Sequence, residues 1–355
     1  MADLETFRKE TRRWLDANAP KSLAGALVSD LDGTWGGRNA TFDIPEQKTW
    51  LERMAEKGWT APTWPTEYGG GGLSKAEAKV LTQELGRMKL PPPLIGFGLT
   101  MIGPTLLQFG TEEQKQEHLP KITHGQINWC QGYSEPGAGS DLASLQTRAV
   151  RDGDDFIING QKVWTSYADL SDWIFALVRT DPDAKKQEGI TFILFDMQTP
   201  GVSVSPIGLI SGKSPFCETR FDDVRAPVKN VIGKINGGWT IAKALLGHER
   251  SMIASAFGPA SARRDGRTGS ALGDLAREYV GEATNGKLAD PALRHAIAQT
   301  EMDARAFALT VQRSSDAAKA GHQPGPESSL FKVYATELNK RRSDLMVRIA
   351  GPQGL

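Results

Sequence analysis

The sequence predicts an α+β, multidomain chain: a helical N-terminal domain, a central β domain built as a barrel or sandwich, and a C-terminal helical bundle. Three observations predict this order. Apolar residues recur at helical spacing over about the first 120 residues, short β-branched and aromatic runs follow Gly125, and the helical period returns from Gly238 onward. With 355 residues the chain has room for three domains. We place them at residues 1–124, 125–232 and 233–355.

In the N-terminal domain, charged and apolar residues alternate with helical periodicity. Ser74 suits the N-cap of one helix, and Pro120 is expected to end another. A further apolar helix is expected after the Pro91–Pro93 interruption. The predicted helices span Glu5–Ala19, Ile44–Lys57, Lys75–Met88 and Glu112–His118.

The central domain is predicted from five short runs that are rich in β-branched and aromatic residues and separated by turn residues. After Gly238 we expect helices and no further β structure. The predicted strands lie at Phe156–Gly160, Trp173–Arg179, Ile190–Phe195, Val202–Val204 and Thr219–Phe221.

Composition excludes several functional classes. Lys plus Arg and Asp plus Glu both number 42, so the net charge is zero and no basic footprint for nucleic acid or a membrane surface is expected. No apolar run is long enough to span a bilayer, and the N-terminus lacks a secretory or transit pattern, so we expect a cytoplasmic protein. Two cysteines are too few for a disulfide framework, and no His occurs at a metal-ligand spacing, so we expect no metal site.

Glu249 is the candidate catalytic residue. It lies within the apolar stripe of a predicted helix, three residues after Leu246 and three before Met252. A carboxylate on a core-facing stripe loses solvation, which favours its neutral form and makes it a stronger base. An ion pair with Arg250 or a distant Lys is the structural alternative.

The segment Gly132–Asp141, hereafter the glycine-rich segment, reads GYSEPGAGSD. Glycines beside hydroxyl residues offer backbone N–H groups that a phosphate or a ring edge can approach closely. Leu142 stands where a dinucleotide fingerprint needs its third glycine, so the segment is not of that type. Taken alone, the segment is interpreted as a turn, and a binding role is the minority alternative.

The glycine-rich segment resembles the signature of the acyl-CoA dehydrogenase family, except that Tyr133 stands where an aliphatic residue is usual. Three more blocks resemble the family and occur in its order along the chain. They are Trp64–Gly70 (WPTEYGG), Gly110–Lys115 (GTEEQK) and Ile158–Ser166 (INGQKVWTS). The family's fold has the same helical, β, helical order.

The resemblance implies FAD held between the β domain and the C-terminal helices. The positions that match flavin contacts are Gln131, Gly132, Ser134, Gly139, Ser140, Trp164, Thr165 and Ser166. An ordinary core aromatic between strands is the alternative for Trp164. Ser140 is also a candidate for substrate binding.

The resemblance also assigns roles within Gly247–Arg250 (GHER), which matches the class whose base lies on this helix, as in isovaleryl-CoA and long-chain enzymes. Glu249 is then the base that removes the pro-R α-proton while the flavin accepts the β-hydride, giving a trans-2-enoyl-CoA. Arg250 aligns with an arginine near the thioester, with a solvated helix charge as the alternative. Electrons are expected to pass to an electron-transferring flavoprotein.

Two departures from the family pattern affect the assembly. The family arginine that reaches a neighbouring subunit's flavin has its nearest counterpart in Arg277, within Arg277–Gly281 (REYVG), where Val replaces the usual Phe. We therefore expect either a homo-oligomer or a heteromer, dimeric or tetrameric. Relatives continue beyond the position of Leu355, so we expect the C-terminal domain to be truncated.

Other functions on the same fold remain open at this point. An acyl-CoA oxidase, a flavin monooxygenase and a nitroalkane oxidase share the architecture, but a Glu at position 249 favours the acyl-CoA reaction. A weakly catalytic or non-catalytic subunit of a heteromer is the remaining alternative, because the Arg277 match is weak. The acyl chain of the substrate is not legible from the sequence.

Overall fold

The computed structural model describes residues 2–26, 33–212, 214–256, 271–321 and 328–354. Within these ranges the side chains of residues 2, 248–256, 271, 318, 319, 328, 329 and 354 lie outside the described part. The chain divides into two compact units, Met1–His248 and Glu249–Leu355, and each is described by itself.

The first unit opens with helices in the order expected. They are α1 (Ala2–Asn18), α2 (Glu46–Glu56), α3 (Lys75–Arg87), α4 (Gly103–Phe109) and α5 (Glu112–Thr123). The predicted N-cap is confirmed: Ser74 Oγ accepts from the Glu77 N–H at 3.2 Å, and the Glu77 carboxylate accepts from the Ser74 N–H at 2.8 Å. A π-helical turn, Gly98–Ile102, precedes α4.

A buried carboxylate joins α1 to α3. The Glu84 side chain is only 2% exposed, yet its oxygens accept hydrogen bonds from Arg8, Arg12 and Arg87 at 2.9 Å each. The Arg12 hydrogen bond is the largest influence on this carboxyl; burial opposes it, but Arg8 and Arg87 add to it and hold the pKa of Glu84 at about 2. The charged pattern of α1 therefore serves packing as well as solubility.

The expectation that Pro120 ends its helix was wrong, because α5 continues to Thr123. A proline removes one N–H from the helix, but its carbonyl still accepts. The Pro120 oxygen accepts from the Thr123 hydroxyl at 3.0 Å and from the His124 N–H at 3.1 Å. Leu119 and Ile122 are almost fully buried. Burial of this face stabilises the helix past the position where the local rule would end it.

The central part of the first unit is a sheet of seven strands in the order β1-β4-β2-β3-β7-β6, with β5 paired to β4. Pairing is antiparallel except between β1 and β4 and between β2 and β4. All five predicted strands are confirmed; β4 has the predicted bounds, and the other four are longer than expected. The strands span β1 (Trp129–Gly132), β2 (Arg148–Asp152), β3 (Asp155–Ser166), β4 (Trp173–Arg179), β5 (Ile190–Asp196), β6 (Val202–Ile207) and β7 (Phe216–Pro227).

Two strands, β1 and β2, were not predicted from the sequence. In β2 only Ala149 is buried, so its residues give neither an apolar run nor a regular alternation. In β1 the four residues WCQG contain a Gly and a Gln, which are poor strand formers, although the strand is largely buried. The pairing of β1 with β4, not its composition, makes it a strand.

Gly160 on β3 has a conformation and an environment that exclude a side chain. Its φ is +149°, and an added Cβ would lie 2.7 Å from the Thr147 Cα. We expect Gly160→Ala to lower the free energy of unfolding by about 2–3 kcal/mol. Gly153→Ala is the control, because Gly153 also has a positive φ but no neighbour within 4 Å, and a loss of about 1 kcal/mol is expected there. Urea unfolding of both variants tests this, and equal losses would contradict the steric argument.

The remaining helices are α6 (Gly238–Ala256), α7 (Ala271–Tyr279), α8 (Pro291–Lys319) and α9 (Ser328–Ala350). In the second unit, α7, α8 and α9 pack through Leu272, Leu293 and Ile349. Contrary to expectation, one isolated β-bridge joins Glu282 to Leu288. Among the described residues no helix has the length and apolarity needed to cross a membrane. No cluster with metal-ligand character occurs in those same residues.

Candidate active site

The glycine-rich segment leaves β1 and forms a tight turn. The Glu135 and Ala138 N–H groups each donate to the other residue's carbonyl at 3.0 Å. Tyr133, the departure from the family pattern, is buried and contacts Phe175 and Phe192 edge-on. The Tyr133 ring, which is larger than an aliphatic side chain, therefore packs against aromatic residues of β4 and β5.

A buried ion pair connects this turn to β3. Lys162 is fully buried, and its Nζ lies 2.8 Å from Glu135 Oε1. Burial lowers the pKa of Lys162 to about 8 despite the attraction of Glu135. For Glu135, burial acts to raise the pKa, but Lys162 together with Thr147 and Gln146 outweighs it and the pKa is lowered. Both residues lie within blocks that resemble the family, but their sequence pattern indicated no role for either.

Trp164 projects from a bulge in β3. Lys162 pairs with Thr219 and Thr165 with Cys217, so β3 has one more residue than β7 between these pairs. Trp164 lies in this bulge with φ of +61°, its side chain is 56% exposed, and its ring meets Phe216 edge-on. The alternative of a core aromatic is wrong. The bulge turns a large apolar ring outward, where it can contact a ligand.

The structure brings Ser134 and Trp164 together. The Val163 N–H donates to the Ser134 carbonyl at 2.9 Å, which holds the glycine-rich segment against the bulge. Ser166 follows at the end of β3, paired with Phe216, and both serines are partly exposed. Two hydroxyls and an indole are thus available on neighbouring segments.

Several polar side-chain atoms in the described residues are buried and have no hydrogen-bond partner there, and two of these atoms belong to predicted flavin contacts on β1 and β3. They are Gln131 Nε2 and Thr165 Oγ1. A buried polar atom without a partner is costly, and such atoms often mark a place where a ligand or water completes the bonding. Both belong to the predicted flavin contacts, so this part of the site fits a polar ring system.

The two predicted glycine contacts differ. A Cβ on Gly132 would lie 2.7 Å from Ile174 Cδ1, so packing of β1 against β4 explains this glycine. A Cβ on Gly139 would meet nothing within 4 Å. Gly139 and Ser140 are exposed, and the adjacent Asp141 lies 2.8 Å from the Lys186 Nζ. The exposed end of the glycine-rich segment is therefore accessible to a ligand.

A cleft of about 440 Å³ adjoins the segment. Its polar groups include main-chain and side-chain atoms from the turn, from the chain leading into β2 and from β3. It is lined by Glu135, Pro136, Gly137, Ser144, Gln146, Thr147, Gly160 and Gln161.

The remaining predicted residues belong to helices. Ala242 and Leu245 of α6 are buried while Lys243 is exposed, as the predicted stripe requires. Glu249 and Arg250 lie on the same helix, but their side chains are outside the described residues. Arg277 on α7 is half-exposed and bonds Asp274 at 3.1 Å and Glu282 at 2.8 Å.

Comparison with known families accounts for nearly the whole chain. The acyl-CoA dehydrogenase N-terminal domain matches residues 2–126, the middle domain residues 130–224 and the C-terminal domain residues 236–355. The chain belongs to the acyl-CoA dehydrogenase family. The predicted family, fold class and enzyme class are thereby confirmed: this dehydrogenase is an oxidoreductase with the helical, β, helical architecture.

Individual relatives of this dehydrogenase agree. The acyl-CoA dehydrogenase IpdE1 of Mycobacterium tuberculosis is 36% identical over 358 residues, covering 100% of this chain and 88% of the relative. The solved structure titled Tcur3481-Tcur3483 steroid ACAD has a TM-score of 0.74 and 35% identity, covering 100% of this chain and 86% of that one. The ChsE4-ChsE5 complex from Mycobacterium tuberculosis has a TM-score of 0.69 and 28% identity, with coverages of 100% and 86%.

Proposed function

We propose that this dehydrogenase carries out FAD-dependent α,β-desaturation of an acyl-CoA thioester, with Glu249 as the base. The observation that supports this most strongly is the grouping around the β3 bulge. There the exposed Trp164 follows Val163, whose N–H donates to the Ser134 carbonyl, and the buried atoms Gln131 Nε2 and Thr165 Oγ1 lack hydrogen-bond partners among the described residues.

The residues at the bulge fit the flavin in chemical type. Ser134, Thr165, Ser166 and Gln131 supply hydroxyl and amide groups for ring heteroatoms, and Trp164 supplies an apolar face. Backbone N–H groups at Gly139 and Ser140 are suited to the anionic part of the cofactor. When bound, FAD supplies the acceptor for the hydride that leaves the β-carbon.

The chain's own residues handle the proton. In the proposal, the Glu249 carboxylate removes the proton from the α-carbon of the substrate. The α-proton becomes acidic enough only when donors converge on the thioester oxygen. Arg250 and Ser140 are the proposed contacts at the thioester end of the substrate.

The proposed substrate class is an acyl-CoA with a steroid-derived, polycyclic acyl group. This rests on the full-length similarity to the structure whose title names a steroid enzyme. The proposed electron acceptor is an electron-transferring flavoprotein. An acyl-CoA oxidase would instead be reoxidised directly by oxygen.

The proposed assembly is an oligomer with at least one further chain of the same fold. Two similar structures have titles that name two components each. In the second unit, α8 and α9 also expose several large apolar side chains, and such side chains often mark a surface that binds another protein. The most exposed of them are Met302, Leu309, Leu330, Val333 and Val347, at 54–66%.

Anaerobic titration with acyl-CoAs tests the reaction and the substrate class together. The chain is purified alone and after co-expression with a homologous dehydrogenase chain, and each sample receives straight-chain, branched and steroid-derived acyl-CoAs. We expect the steroid-derived thioester to bleach the flavin most completely. Bleaching only by short or straight-chain thioesters would contradict the substrate class. FAD binding without bleaching by any thioester would contradict desaturation and favour a partner-subunit role.

A further inference from the structure

The buried ion pair between Lys162 and Glu135 joins β3 to the two ends of the segment that runs from Tyr133 to Thr147. The fully buried Lys162 donates to the Tyr133 carbonyl at 3.1 Å and to Glu135 Oε1 at 2.8 Å. Glu135 also accepts from the backbone N–H groups of Gln146 at 2.6 Å and Thr147 at 2.9 Å. Lys162, Glu135 and Thr147 are buried, so water does not easily replace a hydrogen bond that is lost among them.

The ion pair adjoins the two segments that present the proposed flavin contacts. Ser134 lies between the two residues that Lys162 contacts, and Trp164 lies two positions after Lys162 in the bulge. The Val163 N–H, between Lys162 and Trp164, donates to the Ser134 carbonyl at 2.9 Å. Ser134 is the residue after Tyr133, and Trp164 is two residues after Lys162. A movement of the Lys162 side chain would therefore shift the backbone at both Ser134 and Trp164.

The stability of the fold does not by itself require charged residues at positions 135 and 162. Replacing a buried ion pair by apolar groups of similar volume is often neutral or stabilising, because removing two charges from water is expensive. Apolar packing, however, has no preferred direction, whereas hydrogen bonds fix distance and angle. Arg179, the other cation near the pair, donates to the Ala143 carbonyl at 2.6 Å and the Leu145 carbonyl at 3.2 Å, so it fixes the same stretch of chain from β4.

We propose that the Glu135–Lys162 pair positions the flavin site, holding Ser134 and Trp164 at the spacing that FAD binding requires. Both are positioning residues, since they act through Ser134 and Trp164. The inference rests on the proposed FAD site.

Lys162→Met tests it, because Met keeps the length of the side chain and removes the charge and the donors. Two readouts are needed: the Kd of apoprotein for FAD, and the 19F resonance of Trp164 in apoprotein labelled with 5-fluorotryptophan, assigned with Trp164→Phe. We expect FAD affinity to fall about 10-fold or more. The Trp164 resonance should broaden or split, while that of the buried Trp50 stays in place.

Glu84→Gln is the matched control. It breaks another buried charge cluster in the same unit, between α1 and α3, so it lowers stability without touching the bulge. We expect the control to lower the thermal midpoint while leaving FAD affinity and the Trp164 resonance unchanged. Equal effects of both variants on FAD affinity would reduce the Glu135–Lys162 pair to a general stability role.

Wild-type FAD affinity and an unchanged Trp164 resonance in folded Lys162→Met would overturn the inference. If Lys162→Met does not fold, the double variant Glu135→Gln/Lys162→Met removes both buried charges and carries the same two readouts. A wild-type protein that binds no FAD would contradict the proposed cofactor. The Trp164 resonance of the apoprotein would still decide whether the pair positions the bulge.

Discussion

The Glu249→Gln variant should bind FAD with the affinity of the wild type. The rate at which acyl-CoA reduces its flavin should be about a thousandfold lower. Gln has nearly the same size and helix propensity as Glu, but its amide is not a base at neutral pH. Thioester binding should change little, because the substitution removes a group needed only when the α-proton leaves. Anaerobic stopped-flow measurement of flavin bleaching separates binding from this step.

Lys243→Gln is the control for Glu249→Gln. Lys243 lies on the same helix with its side chain exposed, so this variant changes the charge of α6 without altering its buried face. We expect its bleaching rate to equal the wild-type rate. If Glu249→Gln bleaches within threefold of the wild type, the base is another residue and the class assignment is wrong.

Glu84→Gln should destabilise the first unit by about 2–3 kcal/mol at pH 7, because three arginines lose their shared carboxylate. The folded pKa of Glu84 is about 2, below its ordinary value of 4.5, which corresponds to at most about 3 kcal/mol of stability. For a lowered carboxyl pKa, this contribution is fully present above pH 4.5 and is lost as the pH falls toward 2. The difference between wild type and variant should therefore shrink over that window.

Urea unfolding followed by circular dichroism at pH 7, 4 and 3 measures this difference. Asp16→Asn serves as the control, since Asp16 bonds Arg87 at 3.2 Å but is 56% exposed. A solvent-exposed pair of this kind contributes little, so only a small change is expected. A stability difference for Glu84→Gln that stays constant down to pH 3 would show that the carboxylate is not the source of the effect.

Local sequence rules predicted the elements whose residue pattern is complete within a short stretch of the chain. The N-cap at Ser74 was predicted and is confirmed, and the structure shows in addition that Glu77, three residues later, completes a capping box. The run Trp173–Arg179 has the same bounds as β4, since six of its seven residues are buried and apolar residues dominate it. Local rules failed at Pro120, where the helix continues, and at the polar strand β2, which was not predicted. Packing and strand pairing with distant residues decide the conformation at both places.

Motif order by itself determined the family, the succession of helical, β and helical regions, and the segments that contain the candidate site. Only the tertiary structure decided how those segments meet. Trp164 is exposed because β3 has an extra residue opposite β7, which depends on pairing between strands about 50 residues apart in the chain. Lys162 and Glu135 meet because the turn after β1 is bonded to β3 through Tyr133 and Ser134, and their desolvated charges are paired there. Such contacts depend on register and burial, and these follow from the packing of the whole domain and not from any one stretch of residues.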